Sequence, residues 1–113
     1  MNTLDVCKST CEMLRVESSI AVDLEGEQLG RTGPICILTV GRKDGSAYLF
    51  DIVTLGVAAF ENGGLRALLE DARVMKLMYD GRSDADALFH QFNGVRIRGA
   101  ADLQVRRNFE FHI

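Results

Sequence analysis

Residues 20–25 read Ile-Ala-Val-Asp-Leu-Glu. Three aliphatic side chains alternate in this stretch with Ala21, Asp23 and Glu25. Such alternation is typical of a β-strand that buries one of its faces. Because successive side chains of a strand point to opposite faces, Asp23 and Glu25 project together from the other face. The stretch therefore predicts a strand with two carboxylates on one side.

Along the chain, the sequence predicts a helix before this strand and a β-hairpin after it. Four apolar residues recur at helical spacing, which predicts an amphipathic helix over residues 4–16: Leu4, Cys7, Cys11 and Leu14. Downstream, two apolar runs at residues 35–40 and 47–50 are separated by a short connection that contains Gly45. Two such runs joined by a short glycine-containing loop indicate an antiparallel hairpin.

Strands and helices alternate in the second half of the chain. A short helix is predicted over residues 65–71 and a strand over residues 74–78. A longer helix follows Gly81, because apolar residues recur there at helical spacing: Ala85, Leu88, Phe89 and Phe92. The last strand is either residues 95–98 or residues 100–102. Hairpin strands followed by this alternation predict an α/β fold, a mixed sheet with flanking helices.

Composition limits the ways in which this chain can act. The net charge of −3 argues against binding nucleic acid by electrostatics alone, so such binding requires metal ions or a local basic strip. Such a strip would consist of Arg96, Arg98, Arg106 and Arg107. The alternative is that these arginines are ordinary solvated charges.

The three cysteines lack paired metal-ligand spacings, which indicates reduced thiols. Without a signal or membrane-spanning segment, we expect an intracellular protein, cytoplasmic or nuclear, with no membrane contact.

Carboxylates are the candidate functional groups. Asp23 and Glu25 repel each other unless a cation lies between them, and oxygen ligands suit Mg²⁺ or Mn²⁺. The alternative is that both are surface residues in solvent. Asp84 lies one helical turn before Leu88, which places it over the buried face of its helix. At about 100° per residue, Asp86 is rotated away from Asp84 and lies with His90 on the solvent-exposed face of the helix. Either Asp80 or Ser83 is predicted to be the N-cap residue of that helix.

Four stretches together carry a family resemblance. Residues 20–30 read Ile-Ala-Val-Asp-Leu-Glu-Gly-Glu-Gln-Leu-Gly, and residues 47–52 read Ala-Tyr-Leu-Phe-Asp-Ile. Lys76 precedes Asp84 by eight residues, and residues 101–104 read Ala-Asp-Leu-Gln. In this order and spacing they resemble the motifs of DEDD-type 3′-5′ exonuclease domains, in the branch that includes ribonuclease D and Egalitarian-like proteins. The likeness extends from residue 20 to residue 105.

The resemblance implies a ribonuclease H-like fold and hydrolysis of a phosphodiester by two metal ions, Mg²⁺ or Mn²⁺. The implied partner is a single-stranded 3′ end of RNA or DNA. By position, Asp23 matches the carboxylate that bridges both metals. Glu25 matches the one that holds the metal on the nucleophile side and orients the attacking water. Asp84 matches the second-motif aspartate beside the other metal.

The family's third motif, a Tyr or His four residues before an Asp, is not found between Gln104 and Ile113. We therefore expect a C-terminally incomplete domain with a helix in residues 1–17, a family-like region over 20–105 and a divergent tail over 106–113. Weak or no activity is expected of this chain alone. Two alternatives are a non-catalytic module that binds nucleic acid or protein, and a chain without a function of its own. For the latter we expect a protein partner or self-association through an exposed sheet edge.

Overall fold

A five-stranded mixed sheet forms the centre of the domain in the computed structural model, which describes residues 2–26, 33–79 and 81–102. The strands are β1 (Ser19–Gly26), β2 (Ile35–Gly41), β3 (Ala47–Asp51), β4 (Met75–Met78) and β5 (Ala100–Asp102). They lie in the order β3-β2-β1-β4-β5. The pairs β1/β2 and β2/β3 are antiparallel, whereas β1/β4 and β4/β5 are parallel. The predicted mixed sheet and its hairpin are confirmed.

Five helices accompany the described strands: α1 (Leu4–Leu14), α2 (Ile52–Leu55), α3 (Val57–Glu61), α4 (Leu65–Glu70) and α5 (Arg82–Gln91). The predictions of α1, α4 and α5 are confirmed to within a few residues. No helix was predicted between β3 and α4, and α2 and α3 fill that interval. Asp51 begins α2 by accepting a hydrogen bond from the backbone N–H of Thr54 at 3.1 Å. Gly56, with φ of 60°, separates the two short helices.

A single core joins the helices to one face of the sheet. The aliphatic side chains that alternate along β1 are all buried: Ile20, Val22 and Leu24. From α1, Cys7, Cys11 and Leu14 enter the same core, and α1 packs against α3 and α4. The opposite face of β1 carries Asp23, which lies beside Thr39 of β2. The face assignment made from the alternation in residues 20–25 is therefore confirmed.

The choice between two last strands is decided in favour of residues 100–102. Residues 95–98 do not form a strand. The backbone N–H of Arg98 donates instead to the carbonyl oxygen of Leu69 in α4, at 2.9 Å. Gly99, with φ of 72°, turns the chain into β5. In the described sheet β3 and β5 are the outer strands. Self-association through such an edge stays a prediction.

The cap of α5 was predicted wrongly. Gly81 occupies the N-cap position, and Ser83 lies inside the first turn of the helix. Asp80 is outside the described residues and precedes the cap. The backbone N–H of Gly81 donates to the Oδ2 atom of Asp102 at 3.2 Å, so a side chain from β5 binds the start of this helix. In the described part of the chain, no helix is both long and apolar enough to span a bilayer.

Candidate functional site

Asp23 and Glu25 are exposed on the face of β1 that is turned away from the core. Thr39 lies beside Asp23 on β2, and Ile37 lies beside Glu25. A shallow depression of about 280 Å³ lies over this part of the sheet, with Asp23, Thr39 and Tyr79 among its lining residues. Both carboxylates are thus accessible to solvent, as ligands for an ion or a substrate must be.

Asp84 is held in a different environment. It lies in the first turn of α5, and only 8% of its surface is exposed. A carboxylate in the first turn of a helix is stabilised by the backbone N–H groups and the helix dipole. Because Asp102 binds the backbone of Gly81, β5 fixes the position at which α5 begins. Asp102 is thereby a positioning residue for the helix that carries Asp84, a role that the sequence analysis did not assign to it.

The topology brings these acidic residues to one edge of the sheet. The parallel strands β1, β4 and β5 have their carboxyl ends at the same edge. Asp23 and Glu25 lie in the second half of β1, α5 follows β4, and Asp102 ends β5. Ligands of α/β sheets bind preferentially at this edge. Within the described ranges, however, no three acidic, histidine or cysteine side chains converge closely enough to hold an ion. The metal-binding roles of Asp23, Glu25 and Asp84 therefore stay predictions.

Lys76, which precedes Asp84 by eight residues in one of the motif-like stretches, lies in the core and not at this edge. Its side chain is fully buried, and its ammonium group donates to the carbonyl oxygens of Asp71 and Arg98. Burial lowers the pKa of Lys76 from its ordinary value, an effect that the nearby Asp71 carboxylate partly opposes. In this structure, therefore, Lys76 connects the end of α4 to the segment before β5.

The exposed side of α5 carries the remaining predicted residues. Asp86 pairs with His90, with Oδ1 3.4 Å from Nε2, so their placement on the solvent-exposed face is confirmed. The guanidinium group of Arg96 lies over the ring of Phe89, 4.6 Å from its centroid. Arg96 and Arg98 are both exposed. Arg106 and Arg107 lie outside the described residues, so the four-arginine strip is only partly visible.

The model of the 3′-5′ exonuclease domain family matches residues 1–110. The chain therefore belongs to this family, as the four motif-like stretches predicted. Among curated proteins it is 38% identical to the piRNA biogenesis protein EXD1 of Mus musculus over 98 residues, and 37% identical to that of Homo sapiens. Each alignment covers 87% of this chain but only 17% and 18% of the mouse and human proteins. The chain thus spans less than a fifth of these relatives.

Solved structures share the fold over most of this chain. Ribonuclease D of Trypanosoma brucei in complex with RNA U12 superposes with a TM-score of 0.81 at 31% identity, covering 92% of this chain and 36% of that one. Ribonuclease D of Escherichia coli gives 0.78 at 21% identity, covering 96% and 28%. The second likeness shows the fold alone. Together they establish the ribonuclease H-like architecture.

Proposed function

We propose that this chain is a 3′-5′ exonuclease domain that acts on the 3′ end of single-stranded RNA. The observation that carries the proposal is the placement of Asp23, Glu25 and the start of α5 at one edge of the sheet. RNA is favoured over DNA because ribonuclease D, a similar protein, was solved with RNA U12, and the EXD1 relatives are named for piRNA biogenesis. In this proposal the exonuclease region is residues 20–105, between the N-terminal helix in residues 1–17 and the tail 106–113.

The chemical character of the site supports divalent metal ions as cofactors. Asp23, Glu25 and Asp84 offer only carboxylate oxygens, which suit Mg²⁺ or Mn²⁺ better than softer ions. A pair of such ions held by these carboxylates would supply activation of a water molecule and stabilisation of the leaving oxygen of a phosphodiester. The exposed Asp23 and Glu25 would hold ions where an RNA end can reach them from solvent. The buried Asp84 would supply a ligand whose position is set by its helix.

Residues 105–113 contain no Tyr-x-x-x-Asp or His-x-x-x-Asp sequence, so the family's third motif is not among the residues of this chain. Groups that act as a unit in catalysis lose most of their effect when one member is missing. We therefore expect these 113 residues to bind a divalent ion and to hydrolyse RNA weakly by themselves.

Titration of the protein with Mn²⁺, followed by calorimetry, tests the metal site. We expect Asp23→Asn and Asp84→Asn each to lower the affinity for Mn²⁺ about tenfold or more, because changes around a metal site typically weaken binding by that factor. Asp86→Asn is the matched control, because Asp86 lies on the same helix as Asp84 but pairs with His90 on the exposed side. Equal Mn²⁺ affinity in wild type and Asp23→Asn would contradict the proposal.

Hydrolysis is tested with a 5′-labelled RNA oligonucleotide in Mn²⁺. The expected result is a slow ladder of products shortened from the 3′ end, lost in EDTA and in Asp23→Asn. RNA binding that is unchanged by EDTA and by Asp23→Asn, with no ladder at high protein concentration, would instead identify a non-catalytic binding module.

A further inference from the structure

The arginine side chains of the described residues fall into two groups. Four of them form ion pairs with carboxylates: Arg15 and Arg73 share Asp71, Arg42 pairs with Glu17 and Asp44, and Arg66 pairs with Glu61 and Glu70. Within the same described ranges, the guanidinium groups of Arg82, Arg96 and Arg98 form no ion pair. In a chain with a net charge of −3, arginines that form no ion pair with a carboxylate give a local positive charge to the surface around them.

Two of these arginines, Arg82 and Arg96, line one groove of about 610 Å³. The groove, called the arginine groove below, lies between the exposed side of α5 and residues 95–97, and Ser83 and Phe89 also line it. Asp86 lines it as well, and His90 is that residue's partner at 3.4 Å. The groove thus combines positive charge, a hydroxyl group and an aromatic ring, which is the composition of surfaces that bind single-stranded nucleic acid.

Arg96 is held in place before any ligand arrives. Its backbone N–H donates to the Oε2 atom of Glu70 at 3.0 Å, and its guanidinium plane lies over the Phe89 ring. Glu70 is itself held by Arg66 at 3.2 Å. Guanidinium groups present several donors to phosphate in a fixed planar arrangement, and they also stack on nucleobases. Because the guanidinium group already rests on the Phe89 ring, the Arg96 side chain loses less conformational freedom when it binds a phosphate.

The arginine groove is connected to the edge that carries the candidate carboxylates. Arg82, Ala85 and Ile97 line both the groove and a neighbouring depression of about 180 Å³ beside Asp102. Met78 lines that depression and also the one over Asp23. The three depressions thus share lining residues with their neighbours, in the order that runs from Asp23, past the start of α5, to Arg96.

We propose that the arginine groove binds the phosphate backbone of a single-stranded polynucleotide, on the 5′ side of the nucleotide whose 3′ end lies at Asp23. This inference rests on the proposed function, because the direction of the strand is set by the carboxylate edge. The groove contributes affinity and holds the strand in line, and it reads no base sequence, since phosphate contacts carry none.

Binding of fluorescent oligouridine in EDTA, measured by anisotropy, tests the groove without hydrolysis. The double variant Arg82→Ala/Arg96→Ala should bind a twelve-nucleotide RNA about tenfold more weakly than wild type. The slope of log K against log salt should also fall by roughly 1.4, since each phosphate contact with a single strand contributes about 0.7. Phe89→Leu should weaken binding less than the arginine pair, because it leaves both charges.

The matched control is Lys8→Ala/Lys43→Ala, which removes the same charge from exposed residues of α1 and of the β2–β3 turn. We expect its affinity and salt slope to equal those of wild type. Equal losses in the two double variants would overturn the inference, because net charge would then explain the binding. Equal competition by polyglutamate would overturn it too, and would assign the groove to acidic protein segments.

Failure of this inference is distinguishable from failure of the proposed function. If the 5′-labelled RNA shows an Asp23-dependent ladder while the groove variants bind like wild type, the groove inference alone is wrong. If no ladder forms but the groove variants lose RNA affinity in EDTA, hydrolysis is wrong and the groove stands. Circular dichroism of each variant establishes that the compared proteins are folded.

Discussion

The ammonium group of Lys76 donates a hydrogen bond to the carbonyl oxygen of Arg98, 3.0 Å away, in the interior of the domain. A second hydrogen bond from the same group reaches the carbonyl oxygen of Asp71, just after α4. Lys76 thus joins β4 to two segments that are distant in the sequence. Because Gly99 and β5 follow Arg98 directly, this buried cation also helps to place Asp102, which binds the start of α5.

Replacing the buried cation should destabilise the domain. Lys76→Met keeps a long side chain but removes the partner of the Arg98 carbonyl, and an unsatisfied buried polar group costs about 1–3 kcal/mol. We expect a loss of that size in the free energy of unfolding, measured with urea. Lys8→Met, on the exposed side of α1, is the control and should be nearly neutral. A Lys76→Met variant as stable as wild type would show that water satisfies these carbonyls without the lysine.

The contribution of Lys76 should depend on pH in a defined direction. Because burial lowers the pKa of Lys76 below its ordinary value of 10.5, the unfolded chain binds more protons between the two values. Stability rises with pH wherever the unfolded state binds more protons. The difference in unfolding free energy between wild type and Lys76→Met should therefore grow as the pH rises toward 10.5. A difference that shrinks over this range would mean that folding raises the pKa.

Gly63 leaves no room for a side chain. A Cβ atom at this position would lie 2.6 Å from the carbonyl oxygen of Ala59 and 2.7 Å from the Sγ atom of Cys7. Gly63→Ala should therefore lower the free energy of unfolding by about 1–3 kcal/mol, the usual cost of overpacking. Gly41→Ala is the control, since its nearest contact would be an ordinary 3.6 Å to the Cβ atom of Ala21.

Cys7→Ala combined with Gly63→Ala tests the source of that cost. The double variant should lose less stability than the sum of the two single variants, because the clash with sulfur is then absent. Additive losses would instead place the whole cost at the Ala59 backbone.

Asp102 should influence the metal site through α5. Asp102→Ala removes the acceptor for the backbone N–H of Gly81, so the first turn that carries Asp84 loses a restraint. If the proposed function is right, Mn²⁺ affinity should fall about tenfold, as for other outer-shell partners of metal ligands. Asp102→Asn keeps an acceptor oxygen and should retain most of the affinity. Calorimetry on both variants separates these results, and equal loss in both would mean that the charge of Asp102 matters more than its hydrogen bond.

The sequence alone predicted the features that depend on local periodicity. Alternation in residues 20–25 was sufficient to place Asp23 and Glu25 on the exposed face of β1, because the side-chain period of a strand is two. Helical spacing was sufficient for α1 and for the burial of Asp84 in α5, because residues one turn apart share a face. The order of the short motifs predicted the family, which the match over residues 1–110 confirms.

Contacts between distant segments were decided only by the tertiary structure. Asp80 and Ser83 are good capping residues, yet Gly81 takes the cap, because Asp102 of β5 binds its backbone across the sheet edge. Likewise, α2 depends on the Asp51 carboxylate accepting from the Thr54 backbone, in a segment whose apolar residues show no clear period. Lys76 reads as a motif residue in the sequence, but its partners are carbonyl groups of Asp71 and Arg98. Local pattern therefore determined which faces are buried, whereas the pairing of polar groups required the folded chain, because those groups meet only when the strands assemble.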